Sequence, residues 1–252
     1  MNRTSVALLI FAKLFLTVFL FAGHVPSNAA PNAASPVVVE LFTSEGCSSC
    51  PPADALLQRF DKQPYPGAHL IVLSEHVDYW NQLGWRDPYS SPIFSQRQEQ
   101  YARVLGSEVA TPQIVVDGRI PVLGNDVEAV QKAIARAAGR FKAPVRILEA
   151  KRDGSEAAVR VSIAALAKGR ADVWIAAADE TDRSSVARGE NAGRNLTHVA
   201  VVRTLTRAGR VDKSEGMEKT MRLPAGPAPG RIVVFLVDGG GEVLGAVAAT
   251  LP

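Results

Sequence analysis

Cysteine is scarce in this 252-residue chain: there are two, and both fall in one short run, Cys47-Ser48-Ser49-Cys50. Two thiols cannot complete a structural zinc site, which normally takes four ligands. A bridge across so short a loop is a poor staple, worth roughly 2 kcal/mol against about 3 for a fifteen-residue ring. A lone CxxC pair therefore points to redox chemistry or metal capture, with a purely structural disulfide as the plainer alternative.

Other absences narrow the field. No basic stripe and no interleaving of aromatic with basic residues is present, which argues against nucleic-acid binding. The formal charge of +3 falls to +1 once Arg3 and Lys13 are set aside with the N-terminal segment, leaving 26 basic against 25 acidic residues. There is no internal repeat. Methionine-rich and histidine-rich tracts are missing, which weighs against a dedicated copper carrier. The Gly239-Gly240-Gly241 triplet does not fit GxGxxG and no helical pattern follows it, so it reads as a hairpin turn.

The N-terminus has the pattern of an export signal over residues 1–30. Arg3 and Lys13 supply positive charge, Leu14 to Ala22 is uncharged and apolar but for Thr17, and Ser27-Asn28-Ala29-Ala30 offers small residues for cleavage. The apolar core falls short of the roughly 20 residues a membrane helix needs. An uncleaved anchor, lengthened by Val6 to Phe11, is the alternative, and the only membrane contact expected. No cysteine follows the apolar core to carry lipid. The expected location is periplasmic or secreted, where a disulfide persists.

Residues 36–140 read as an α/β unit. Val37 to Phe42 is a β-branched apolar run, a buried strand that ends at Thr43-Ser44-Glu45-Gly46. Pro51-Pro52-Ala53-Asp54 opens a helix, and proline is tolerated only in a first turn, so that helix begins close to the cysteines. Its N–H groups and positive dipole end favour a thiolate there. His69 to Ser74 is a second strand leading into Glu75-His76-Val77-Asp78-Tyr79-Trp80. Asn81 to Ser91 is a loop, and Pro92 starts a helix closed by Gly106. Thr111-Pro112 precedes a strand, an Asp117-Gly118 hairpin turn and a return strand. Asp126 to Ala138 is amphipathic, capped by Asn125 or Asp126.

With this element order, residues 37–139 resemble a thioredoxin-superfamily domain. Cys47-Ser48-Ser49-Cys50 falls at its active-site turn and Thr111-Pro112 at its cis-proline. The blocks FTSEGCSSCPPAD, HVDYWNQLGW, RQEQYA, TPQIVVDGR and GENAGRNLTHVAVVR further resemble an uncharacterised family of exported bacterial proteins with such a domain. The resemblance implies that Cys47 is the exposed attacking thiolate and Cys50 the buried resolving thiol, exchanging through a mixed disulfide on Cys47. It implies a cis bond at Pro112 facing the cysteines, with the backbone of Thr111 free to pair with a client strand. An ordinary strand-start proline is the other reading.

Around this pair, Ser48 and Ser49 can donate only weakly to a thiolate, and Glu45 would oppose one if close. A moderately lowered Cys47 pKa is the expectation. Asp54 is either an exposed first-turn acid or a buried proton relay to Cys50. His76, with Asp78, could act as a base, as a third metal ligand, or as a hydrogen-bonded structural residue. Trp80, Trp85 and Tyr79 wall a substrate groove or join the core. His69 is expected at the surface.

Residues 144–252 change texture. Seven short strands are expected, at Val145–Glu149, Ala157–Ala164, Asp172–Ala178, His198–Thr206, Glu218–Leu223, Arg231–Val237 and Val243–Leu251, in an all-β, antiparallel sandwich-like domain. Gly139 to Pro144 is the boundary. The polar block Gly189 to His198 is expected to pack between the domains, or else to fold onto the active-site face or bind a partner. The leading functional expectation is a thiol–disulfide oxidoreductase acting on a protein or small thiol client, with no cofactor beyond its own disulfide. The alternatives are a copper-binding protein using Cys47, Cys50 and His76, and a non-catalytic thioredoxin-like binding module.

Overall fold

In a computed structural model, residues 34–226 and 230–251 are described, so the expected signal segment lies outside the described residues. The chain runs β1 (Ser35–Thr43), α1 (Pro51–Lys62), β2 (Ala68–His76), α2 (Pro92–Leu105), β3 (Gln113–Val116), β4 (Ile120–Leu123) and α3 (Val127–Ala138). It continues β5 (Val145–Asp153), β6 (Glu156–Ile163), β7 (Arg170–Ser185), β8 (Asn195–Asp212), β9 (Met217–Pro224), β10 (Gly230–Val237) and β11 (Val243–Leu251). Strand dominates, with few helices, and the larger sheet is mixed.

That sheet has eight strands in the order β11-β10-β7-β8-β2-β1-β3-β4, and a second has three in the order β5-β6-β9. β1 and β2 pair in parallel from Ser35↔Ala68 to Thr43↔His76. β1 is buried from Val37 to Thr43 because both of its faces are covered, which is why its sequence is a continuous apolar run and not an alternating one. One face packs Val37, Val39 and Leu41 against Leu56, Leu57 and Phe60 of α1 and Val130 and Ile134 of α3. The other face packs Val38, Ile71, Leu73 and Phe94 against Val233, Phe235 and Val243, so strands from the first and last parts of the chain share one core.

All seven later strands are present, but β7 and β8 are far longer than the apolar runs suggest, at 16 and 18 residues. Four of the seven (β7, β8, β10 and β11) continue the sheet begun in the first half, through a parallel junction at Ser74↔Val201. The other three form the small sheet, whose Val159 and Val161 pack on Val173, Ile175, Ile232 and Val234.

Local signals place the helix ends. Pro51 stands in the first turn of α1, directly after the N-cap Cys50. Ser91 caps α2 ahead of Pro92, and Gly106 ends it at φ 65°. Asp126 caps α3 by accepting from the Ala129 N–H at 3.0 Å. Asp117 and Gly118 both have positive φ, at 50° and 65°, as a tight hairpin turn requires. Gly118 is also forced by space, since a Cβ there would stand 1.8 Å from the Gly241 carbonyl oxygen.

Candidate functional site

Cys47 and Cys50 are joined by a disulfide in the turn between β1 and α1. The Cys47 N–H closes this turn onto the Ser44 carbonyl at 3.1 Å, and the Ala53 N–H bonds the Cys50 carbonyl at 2.9 Å. The expected exposed Cys47 is not found: both cysteines are 0% exposed, and only Ser48 and Ser49 face solvent. The Ser49 hydroxyl lies 3.4 Å from Cys47 Sγ.

The Gly189 to His198 block is bonded to the backbone of the cysteine turn. The buried Asn191 amide donates to the Glu45 and Cys47 carbonyls, each at 2.9 Å. The Ser48 N–H donates to Glu190 Oε2 at 3.1 Å. This loop joins β7 to β8, whose long arms pair out to Ser185↔Asn195 and carry it to the turn.

Beside the turn, the Thr111–Pro112 bond is cis. Trp80 links the two features. Its Nε1–H donates to Thr111 Oγ1 at 2.8 Å, and its Cβ is 3.1 Å from where a Gly46 side chain would start. A Cβ on Gly124 would lie 3.1 Å from Pro112 Cβ and 3.2 Å from Ala53 Cβ, so Pro112 sits near the first turn of α1. An open groove of about 340 Å³ runs past Pro112, lined by Ala110, Val122 and Leu123 among others.

Behind the turn lies a buried polar cluster. Glu45 accepts from the Ser184 hydroxyl and from Trp85 Nε1–H at 2.8 Å, and its carboxylate is 3.3 Å from His198 Nε2. His198 Nδ1 stands 3.6 Å from Asp54 Oδ1, an ion-pair distance beyond hydrogen-bond reach. Thr43 donates to the same Asp54 oxygen at 3.1 Å. Asp54 is therefore buried, and the exposed first-turn reading is corrected: its neighbour is a histidine on β8.

His76 is oriented by Asp87, 2.7 Å from its Nδ1, and not by Asp78. Asp78 instead binds Ser95 of α2 at 2.5 Å. The His76 Nε2 is buried without a hydrogen-bond partner, and its ring meets His198 edge to face at 4.7 Å and Tyr89 at 5.3 Å. Trp85 and Trp80 are half-buried around the turn, Tyr79 donates to Gln98 Oε1 at 3.1 Å, and His69 is exposed as expected.

The electrostatics follow from these contacts. Burial works against the His198 imidazolium, but Asp54 and Glu45 beside it push its pKa up to about 10. Burial raises Glu45, yet the bonds from His198, Ser184 and Trp85 outweigh it and hold that carboxyl below the usual range. Asp87 is likewise lowered against its burial by His76 and two backbone N–H donors.

Sequence reasoning missed Asp87, His198 and Asn191 as partners of the site. No local pattern marks them, although the GENAGRNLTH block singled out a polar loop containing the last two. Among the described residues, no three His, Cys, Asp or Glu side chains form a group suited to a metal ion. Among the same residues, no helix is long and apolar enough to cross a membrane.

A family model described as a protein of unknown function (DUF1223) matches residues 38–237. The crystal structure of a protein from Agrobacterium tumefaciens is 31% identical, with a TM-score of 0.63, covering 88% of this chain and 96% of that one. HBP35 of Porphyromonas gingivalis, 13% identical, shares the fold with a TM-score of 0.55 over 86% of this chain and 76% of its own. No curated protein matches.

Proposed function

Since the chain belongs to the DUF1223 family, whose function is unknown, we propose its activity from the site: an exported thiol–disulfide oxidoreductase with a thioredoxin-like first half. The observation that carries this reading is the Cys47–Cys50 disulfide at the start of α1, tied through Trp80 to a cis Thr111–Pro112 bond. A structural bridge gains little from a loop of this size. A pair at a helix N-terminus gains a lowered thiol pKa and so reactivity.

The exchange is balanced by a client dithiol. One client thiolate attacks Cys47 Sγ, breaking the S–S bond, and Cys50 leaves as a thiolate and takes up a proton. The second client thiolate then attacks the client sulfur of the mixed disulfide and releases Cys47. The client is oxidised to a disulfide, and this protein gains two electrons and two protons. Run in reverse, the reduced pair reduces a client disulfide. The Ser49 hydroxyl, at 3.4 Å, supports the Cys47 thiolate. Asp54, four residues beyond Cys50 on the helix and paired with His198, serves as the proton relay for Cys50.

The complete burial of both cysteines favours one other reading, a binding module whose disulfide is inert. Equilibration of the full chain in glutathione buffers of graded potential, with insulin reduction assayed in parallel, separates the two. A reversible two-electron couple and turnover abolished in Cys47→Ser is the expected result. No turnover, with a pair that stays oxidised at every potential short of unfolding, would leave the binding module.

A further inference from the structure

A disulfide is opened by a nucleophile approaching one sulfur, so a pair without accessible surface does not exchange until something moves. One segment of the same chain, the turn from Gly189 to Arg194, is bonded to the backbone on both sides of Cys47, at Glu45, Cys47 and Ser48. The turn from Gly189 to Arg194 is closed on itself, with the Val186 N–H bonded to the Arg194 carbonyl at 2.9 Å and the Gly193 N–H to the Val186 carbonyl at 2.8 Å. It can therefore move as a unit on the ends of β7 and β8. Gly189 and Gly193, with φ of 78° and 81°, flank Asn191.

Its seat on the cysteine turn is small and specific. The Asn191 amide satisfies the Glu45 and Cys47 carbonyls, and Glu190 accepts from the Ser48 N–H. Gly189 rests on Trp85, since a Cβ there would lie 3.2 Å from Trp85 Cβ. The seat is also imperfect. Asn191 Oδ1 is buried with no hydrogen-bond partner, which weakens the closed arrangement. Two carbonyl acceptors on the rim of a disulfide, met by one donor side chain, form the pattern that the N–H groups of an extended client would also meet.

We propose that the Gly189–Arg194 turn is an intramolecular cover that occupies the CxxC face in place of a client and is displaced before Cys47 Sγ is attacked. Asn191 is its positioning residue, holding the cover through the two carbonyls. The inference rests on the reading of the pair as exchangeable, but it is tested without a client.

The test is the rate at which tris(2-carboxyethyl)phosphine opens the disulfide in the folded full chain, followed by alkylation and intact mass. The phosphine gives two electrons to the S–S bond and ends as its oxide, with oxygen from water, leaving two thiols. Asn191→Ala is expected to speed this reaction roughly tenfold or more, through loss of two hydrogen bonds, and Glu190→Gln by a smaller factor. If Asn191→Ala fails to fold, the parent alone decides through the denaturant dependence of its reduction rate. A shallow dependence signals local opening of the cover. A dependence as steep as global unfolding, or an Asn191→Ala rate equal to the parent's, overturns the proposal. Fast phosphine reduction in Asn191→Ala without insulin turnover would sink the oxidoreductase reading and leave the cover standing.

Discussion

Two buried ionic clusters lie on opposite faces of the β1–β2 pair, and they handle their charge differently. One is the Glu45, Asp54, Asp87, His76 and His198 group behind the cysteine turn. The other joins Glu40 of β1 and Glu75 of β2 to Arg97 and Tyr101 of α2. Arg97 Nη2 donates to Glu40 at 2.6 Å and to the Tyr101 oxygen at 2.8 Å, while its Nε is 3.5 Å from Glu75 Oε1. Neither Glu75 oxygen has a hydrogen-bond partner. Burial and the Glu40 carboxylate push the Glu75 pKa up to about 8 against the pull of Arg97. In the first cluster, Glu45 and Asp87 each collect several donors and stay ionised. In the second, one cation serves two acids, and the acid without hydrogen bonds has its pKa raised. Burial works against the charge of all three acids; hydrogen bonds to the charged form offset it at Glu45 and Asp87 and are missing at Glu75.

Breaking each cluster at its cation sharpens that contrast. Arg97→Met leaves Glu40 and Glu75 without a counter-charge and is expected to cost about 4 kcal/mol in urea unfolding. His198→Ala is expected to cost less, about 3 kcal/mol, because Glu45 keeps the donors Ser184 and Trp85. The same variant carries a pH signature. A histidine raised from 6.5 to about 10 contributes stability fully present below pH 6.5 and lost as pH rises through the folded value. The parent's advantage over His198→Ala should therefore shrink in unfolding curves taken at increasing pH up to 10. Glu45 and Asp87 act in the opposite window: lowered in the fold, they stabilise above their ordinary values of 4.5 and 3.8, a contribution lost in acid.

At pH 5 the smallest change is expected from Glu75→Gln. Glu75 binds a proton more tightly folded than unfolded, so it erodes stability as pH climbs from 4.5 towards 8. The variant should differ from the parent by less than about 1 kcal/mol at pH 5 and become the more stable of the two by pH 8. Equal slopes for both proteins over that range would show that Glu75 titrates normally.

Much of the framework was legible because its signals are local. The β-branched run before the cysteines, Pro51 and Pro92 at helix starts, Gly106 at a helix end and the Asp117-Gly118 turn each act through neighbouring residues. The long arms of β7 and β8 were not legible. Beyond Ala178, residues such as Thr181, Asp182 and Arg183 are polar and pair only with the opposite arm, so no apolar pattern announces a strand. The Ser74↔Val201 junction was hidden for a related reason, since parallel partners remote in sequence leave no turn to read. The site suffered most from this. The cysteines and Pro112 stand in recognisable motifs, but Asn191 and His198 arrive only through those arms. Asp78 looked like the partner of His76 by proximity in sequence, whereas the loop returns Asp87 to that place.

The long reach of the cover has a consequence for the order of events in the life of the chain. Cys47 and Cys50 are separated by three positions, and the turn holding them needs only β1 and the start of α1. Asn191 lies 144 residues downstream of the carbonyl it binds on Cys47. A chain emerging from its N-terminus presents the two sulfurs long before the segment proposed to cover them exists, and contacts of such separation are slow to close. On the cover proposal, the pair is open to oxidation before the Asn191 segment is made and is closed over only once β7 and β8 have formed.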